Sequence, residues 1–308
     1  MTTCGTAFLF SEEVQDLLGG SHPVEMSAVH PLWDQAIRHW GPWCEGRVAV
    51  DDPDGGDLGI TGWTAARSGT GNVFLCRDCS SAFDVAWKLN GWGLLAEWGA
   101  VIAATQWTGR GQVRRPWQSL PGNLHVVWRS PMVPGEWDGL TSLIPAWLTA
   151  RVLGSLGWEV RLKWPNDLVW NGKKIGGILA EQRGETVMVG LGLNFVAAPA
   201  SDMLRDGAAL PAGSMGGRID PATCWDRLVS ECESWYKNNL PVLRPEHFAG
   251  AFSDVLLWKN RSVAIAEYGE GRAEVRGVVL GVAVDGGLLL SVDGKVRRIT
   301  SGEIRPLA

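Results

Sequence analysis

The chain is 308 residues long, 45% hydrophobic and 20% charged, with a formal net charge of -5 and a pI near 5.6. Those values describe a globular protein with room for one large domain and a small one, and they exclude extensive disorder. They also oppose a general nucleic-acid binder, whose affinity would rest on Lys and Arg neutralising phosphates, so any anion site must be local.

The N-terminus, MTTCGTAFLFSEEVQ, has acidic residues where a secretory signal carries basic ones, and no apolar run reaches about 18 residues; the expectation is a cytoplasmic protein with no membrane span. Residues 1–70 lack a periodic pattern and set Arg38, Arg47 and Arg67 against ten acidic residues, among them the run DDPDGGD at 51–57. They read as an acidic extension with no evident winged helix. VFLCRDC (73–79) predicts a strand leading into SSAFDVAWKLNGWGLLAEW, where the serines can cap a helix starting near Ser81. Of the six cysteines (Cys4, Cys44, Cys76, Cys79, Cys224, Cys232), only Cys76 and Cys79 form a C-x-x-C pair, and no second pair completes a zinc site, so they read as reduced, structural thiols with no metal.

GAVIAATQ predicts a buried strand, and the loop QWTGRGQVRRPW (106–117) leaves its end. NLHVVWRSP (123–131) is a further strand. TSLIPAWLTARVLGSLGW (141–158) predicts a helix with Thr141 or Ser142 as cap, Pro145 in its first turns and Gly157 near its end. EVRLKWPN, KIGGILAEQRG and TVMVGLGLNF are strand-like runs in quick succession. Helices placed between groups of hairpin-forming strands indicate an α+β fold and disfavour a doubly wound dinucleotide fold. Helices at 221–239 and 244–258 close the large domain, residues 71–258. Beyond Lys259 the runs SVAIAEY, EVRGVVLGVAV, GGLLLSV and KVRRIT, joined by DGG and DGK turns, predict a small all-β barrel over 259–308. The 18 tryptophans show no recurrent spacing and read as core or groove fillers.

KWPNDLVWNGKKIGGILAE (163–181) concentrates the chemistry. Lys163, Asn166 and Asp167 lie at a strand end broken by Pro165, and NGKK turns the chain back with Lys173 and Lys174. Spacing alone leaves two readings open, a charged hairpin in water or a cationic site.

This run closely resembles the signature of biotin protein ligases, and DCSSAFDVAWKL, ATQWTGRGQVRRPWQSLPGNL and VGLGLNF resemble further segments of that family in the same order, over roughly residues 75–308. The resemblance implies a mixed-sheet catalytic domain of the biotin/lipoate ligase type followed by an SH3-like barrel. It also implies a two-step reaction. ATP, accompanied by Mg2+, activates biotin to biotinyl-AMP, and a lysine of a biotin carboxyl carrier protein then takes the acyl group; a homodimer is among the assemblies it allows. Carried over by position, Lys174 contacts the biotin carboxylate and the α-phosphate, Lys163 assists the nucleotide phosphates, and Asp167 orients the acceptor lysine or acts as its base. Asn166 contacts nucleotide or braces the turn. Ser80, Ser81 and Gln106 face the biotin head, or the serines simply cap the helix; Cys79 stands where the family has serine. Gly190, Gly192 and Asn194 match the G-x-G-x-N strand, where ligand lies against backbone.

In the loop, the family carries G-R-G-R-R-G-R-x-W. Gly109, Arg110, Gly111, Arg115 and Trp117 match in register, with Gly109 toward biotin, Arg110 and Arg115 toward the phosphates, and Trp117 stacking on adenine, whereas Gln112, Val113 and Arg114 depart. Gln112 exchanges a charge-assisted bond for a neutral one, which implies faster escape of biotinyl-AMP unless Arg114 compensates. Alternative readings are a lipoate ligase of related fold, a non-catalytic biotin-binding regulator, and a degenerate ligase that binds without turnover.

Overall fold

The computed structural model describes residues 4–14, 16–51, 57–200, 210–268 and 274–307, so most of the acidic run at 51–57 lies outside the described residues. In chain order the elements begin with β1 (Cys4–Phe10), α1 (Pro23–Ala28), α2 (Pro31–Trp40), β2 (Cys44–Asp51), β3 (Asp57–Ser68), β4 (Val73–Cys79), α3 (Ala82–Gly91) and β5 (Ala100–Gln106). Next come β6 (Leu124–Ser130), α4 (Leu143–Ser155), β7 (Arg161–Lys163), β8 (Asp167–Trp170), β9 (Lys173–Arg183) and β10 (Thr186–Leu193). The last are α5 (Pro221–Asn238), α6 (Pro245–Asp254), β11 (Ser262–Ala266), β12 (Glu274–Val282), β13 (Leu288–Val292), β14 (Lys295–Ile299) and β15 (Glu303–Pro306). They fall into two compact units.

The first unit comprises Met1–Met132, Leu179–Pro199 and Ser214–Glu233. Its sheet has the order β2-β3-β1-β4-β5-β6-β10, with the end of β9 beyond β10. β1/β4 and β4/β5 are parallel, and β2/β3, β3/β1, β5/β6 and β6/β10 antiparallel, the mixed sheet of an α+β fold. Residues 1–70, patternless in sequence, thus supply three strands of this sheet. Ala7, Phe8, Leu9 and Phe10 are all buried, so β1 is covered on both faces and its sequence shows no alternation.

Helix α3 lies on one face of the sheet. Its Phe83, Val85, Ala86 and Leu89 share a core with Phe74, Cys76, Val101, Ala103 and Val127, each large apolar side chain contributing about 1.5–3 kcal/mol by leaving water. Strand side chains alternate, so His125 shares the α3 face with Val127 while Trp128 turns to the other face, where Trp225 of α5 lies 5.5 Å away between ring centroids. Ser81 caps α3 as expected, its Oγ accepting from Phe83 N at 3.3 Å. The helix ends at Gly91, and Gly93, at φ +70°, carries the chain out in the left-handed region that glycine tolerates.

The second unit comprises Val133–Ile178, Ala200–Gly213 and Ser234–Ala308. The start of β9 pairs with β8, and β8 with β7. Trp137, Trp147 and Trp235 cluster around Phe248 with centroid separations of 5.6–6.0 Å, so these tryptophans are core fillers. Helix α4 corrects one expectation: Ser142 precedes it in the right-handed helical region and makes no side-chain capping bond, and Thr141 Oγ1 donates back to Asp138 O at 2.9 Å. A 3₁₀ turn over Gly135–Leu140 runs into the helix, leaving neither hydroxyl the extended geometry a cap needs. The C-terminal residues form a five-stranded antiparallel sheet, β14-β13-β12-β11-β15, with β14 and β15 at its edges. The sequence did not mark β15. Ser253 of α6 accepts from Val282 N at 3.0 Å, fixing helix to sheet where Gly281 leaves room for it.

Candidate functional site

In the first unit the candidate residues gather where β4 and β5 end together, with Cys79 opposite Gln106 in the parallel register. Gln106 spans two elements: its Oε1 accepts from Ala82 N and its Nε2 donates to Ser119 Oγ, both at 2.8 Å. Ser81 is fully buried and engaged as the cap, while the Ser80 hydroxyl donates to Asp84 Oδ2 at 3.3 Å. Cys76 and Cys79 are buried free thiols, and burial pushes Cys76 well above its ordinary value, so it stays protonated. The side chain of Cys4 lies outside the described residues.

The loop that follows is folded back on itself. Trp107 N and Thr108 N donate to Cys79 O and Ser80 O at 2.9 and 2.8 Å, and Trp117 N and Gly111 N donate across the loop to Gly109 O and Arg115 O, both at 2.7 Å. Gly109 permits this closure, since a Cβ there would stand 2.5 Å from Trp117 O. The tip is a 3₁₀ turn over Gln112–Arg114 in which Val113 has φ +55°, with Val113 63% and Trp107 59% exposed. The side chain of Arg114 is outside the described residues. Arg110 is held by carboxylates: one guanidinium nitrogen lies 2.6 Å from Asp84 Oδ1, another 3.9 Å from Glu181 Oε1, and its carbon stands 5.5 Å over the Phe83 ring. Arg115 is exposed.

Along β10 the two glycines admit neighbouring rings. A Cβ at Gly190 would fall 2.5 Å from Phe83, and one at Gly192 well inside contact with the Trp117 indole. Asn194 is buried; its backbone carbonyl accepts from Met215 N at 2.9 Å and its side chain faces Asn123 at 3.5 Å. Asn123, which the sequence did not single out, accepts from Val196 N and Ala197 N and donates to Ala197 O, fixing the turn after Asn194.

In the second unit Asp167 lies between two ammonium groups. Lys163 Nζ is 2.9 Å from Oδ2 and Lys174 Nζ 2.5 Å from Oδ1. The β7/β8 register sets Lys163 opposite Asp167, and a bulge between Leu168 and Val169 shifts the β8/β9 pairing so that Lys174 lies across from Val169. Burial pushes the Asp167 carboxyl up, but Lys174 and then Lys163 outweigh it and hold it below its ordinary value. Asn166 Nδ2 donates to Ile178 O at 2.5 Å, and Asn166 O accepts from Ile178 N at 3.0 Å, so Asn166 braces the turn. Among the described residues no group of three His, Cys, Asp or Glu side chains could hold a metal ion, and no helix is long and apolar enough to cross a membrane.

A profile of the Biotin/lipoate A/B protein ligase family matches residues 85–194. The chain is 30% identical over 220 residues to the bifunctional ligase/repressor BirA of Bacillus subtilis, covering 66% of this chain and 65% of that protein, so it spans just under two thirds of that relative's length. It is 31% identical over 206 residues to the biotin--[acetyl-CoA-carboxylase] ligase of Paracoccus denitrificans, covering 62% of this chain and 82% of that one. Among solved structures, a biotin protein ligase from Aquifex aeolicus in complex with biotin and ATP superposes with a TM-score of 0.60 at 22% identity, over 77% of this chain and 99% of that chain, a likeness of fold.

Proposed function

Because the chain belongs to the biotin protein ligase branch of the biotin/lipoate A/B protein ligase family, we propose that it activates biotin with ATP to biotinyl-AMP and transfers the biotinyl group to a lysine of a biotin carboxyl carrier protein. The observation that carries this reading is the pair of ammonium groups on Asp167, whose side chain is 13% exposed, a local concentration of positive charge in an acidic chain. A carboxylate attacking a triphosphate needs its charge and that of the phosphates offset, most of all as charge builds on the α-phosphorus.

In the first step a biotin carboxylate oxygen bonds to the α-phosphorus and pyrophosphate leaves. Lys174, the more exposed of the two lysines, is the proposed contact for carboxylate and α-phosphate; Lys163 supports the nucleotide phosphates from a more enclosed position. Arg110 and Arg115 are proposed phosphate contacts from the loop, Trp117 the adenine platform and Asn194 a further nucleotide contact, while Asn166, assigned to the nucleotide by the resemblance, is proposed to serve it by bracing the turn that carries Asp167. The biotin head is assigned to Ser80, Ser81, Gln106, Gly109, Gly190 and Gly192. In the second step the acceptor amine attacks the acyl carbon, the amide forms, AMP leaves and a proton is released. Asp167, with its carboxyl held low, is a weak base near neutral pH, which favours its orienting the amine over its deprotonating it. Mg2+ is proposed to accompany ATP, where it would help offset the charge of the phosphates.

Residues 71–258 are proposed to hold this chemistry, the C-terminal sheet to be an SH3-like barrel, and the protein to work in the cytoplasm. Biotin, MgATP and a biotin carboxyl carrier domain, incubated with the protein and probed with streptavidin, should give labelling that Lys174→Ala abolishes. An unlabelled acceptor with the wild-type protein, or full labelling by Lys174→Ala, overturns the reading. Gln112 is proposed to make the adenylate leave faster, by roughly 10- to 150-fold if a charge-assisted bond is lost; Gln112→Arg should slow adenylate release, and equal off-rates refute it.

A further inference from the structure

The β6 strand carries a histidine that no motif of the site uses. His125 is 2% exposed, and its Nδ1 lies 3.3 Å from Ala103 O on β5. A carbonyl can only accept, so Nδ1 carries the proton and Nε2 presents a lone pair. Burial holds the imidazole neutral, with a pKa of about 4. Nε2 is enclosed and has no hydrogen-bond partner among the described residues. Buried acceptors are rarely left so, and each orphan calls for an explanation.

Register shows where this lone pair lies. His125 is directly opposite Ala103 on one side and Gly192 on the other, so the ring stands between the two shortest side chains of that row, on the face where Trp117 covers Gly192. Ala103 is three residues before Gln106, which puts His125 at the same end of the sheet as Gln106 and the Ser80–Ser81 turn. Nδ1 is next to the ring's attachment point and is tied to the sheet, which leaves the unmatched Nε2 at the far end of the ring.

We propose that His125 is a ligand-contacting residue whose Nε2 accepts a hydrogen bond from a ring N–H of the cyclic urea of biotin. The proposal rests on the biotin-ligase reading above. Ser, Gln and backbone amides can serve the urea oxygen, but the two urea N–H groups need acceptors in a dry pocket, and a neutral imidazole supplies one without the desolvation cost of a carboxylate.

Calorimetric titration of the full-length protein with biotin and, separately, with ATP tests it. His125→Phe keeps a flat ring and removes the acceptor; biotin affinity should fall roughly 5- to 100-fold, the range for a buried donor left unmatched, while ATP affinity is unchanged. His125→Gln, whose amide reaches the position of Nε2, should recover part of the loss. In the wild-type protein the 15N resonance of Nε2 should move upfield on adding biotin and stay put on adding ATP, a readout that needs no variant to fold. Wild-type protein that fails to bind biotin would refute the ligase reading itself. Biotin binding by wild type with an unmoved Nε2 resonance, or unchanged affinity in His125→Phe, or a shift with ATP instead, would overturn the His125 assignment alone.

Discussion

Asp167→Asn is the most informative single change. It keeps the shape of the side chain and removes the negative charge that two ammonium groups share at 2.9 and 2.5 Å. Lys163 has only 10% of its side chain exposed and cannot turn to water, whereas Lys174, at 35%, is partly screened already. Uncoupling a buried pair costs about 3–5 kcal/mol, and the solvated half of this triad places the expected loss near the lower end, about 3 kcal/mol at pH 7. Urea unfolding with fitted free energies measures it. The pH dependence supplies a signature. Because the folded-state carboxyl is held below its ordinary value of 3.8, its contribution is complete above that value and is lost as pH falls through the lower folded value. The wild type should therefore shed the advantage over that acid window, and Asp167→Asn should lack the limb. Replacing Lys163, Asp167 and Lys174 together by Met, Leu and Met should regain most of the stability while abolishing labelling, since an apolar triad leaves no charge stranded. Asp167→Asn within about 0.5 kcal/mol of wild type at pH 7 would refute the electrostatic reasoning.

Other changes probe the first unit. Gly190→Ala would press on Phe83, held in the core, and should cost about 1–3 kcal/mol in a thermal or urea melt; Gly192→Ala presses on Trp117, whose loop can give, and should spare stability while weakening ATP binding by titration. Ser81→Ala should lower stability by about 1 kcal/mol and Ser81→Gly by only a few tenths, a ranking that only a capping role produces. Asp84→Asn removes the nearer carboxylate tethering Arg110; titration at low salt should show ATP binding up to about fivefold tighter, and weaker binding would mean the tether positions Arg110 rather than competes for it.

Much of this arrangement was legible in the sequence. The continuous apolar runs predicted β4, β5 and β6 within a residue or two, and Ser81 announced the start of α3. Lys163, Asp167 and Lys174 were read as one charged group because a proline and an NGKK turn force the chain to double back there. What stayed hidden depended on partners distant in sequence. β1 has both faces covered and so carries no alternation, while β8 and β15 span four residues each, too few for a period to show. Arg110 looked like a phosphate ligand, and nothing local revealed that Asp84 on α3 and Glu181 on β9 already attend it. His125 could have been noticed, as a lone polar residue within LHVVW, but its tautomer is set by Ala103 on the next strand.

β1 has a consequence for anyone trimming the protein to the segment that carries its motifs. Hydrogen-bonded to β4 on one side and β3 on the other, it is an interior strand drawn from the part of the chain with the least to recommend it by sequence. A fragment beginning near residue 70 would leave β4 as a naked margin, with Phe74 and Leu75 beside unpaired amides, a template for sticking to its own copies. It would also strip the flank from the strand that delivers Cys79, Ser80 and Ser81. Insolubility of such a fragment would report a missing neighbour, and its inactivity would say nothing about the chemistry it was cut out to preserve.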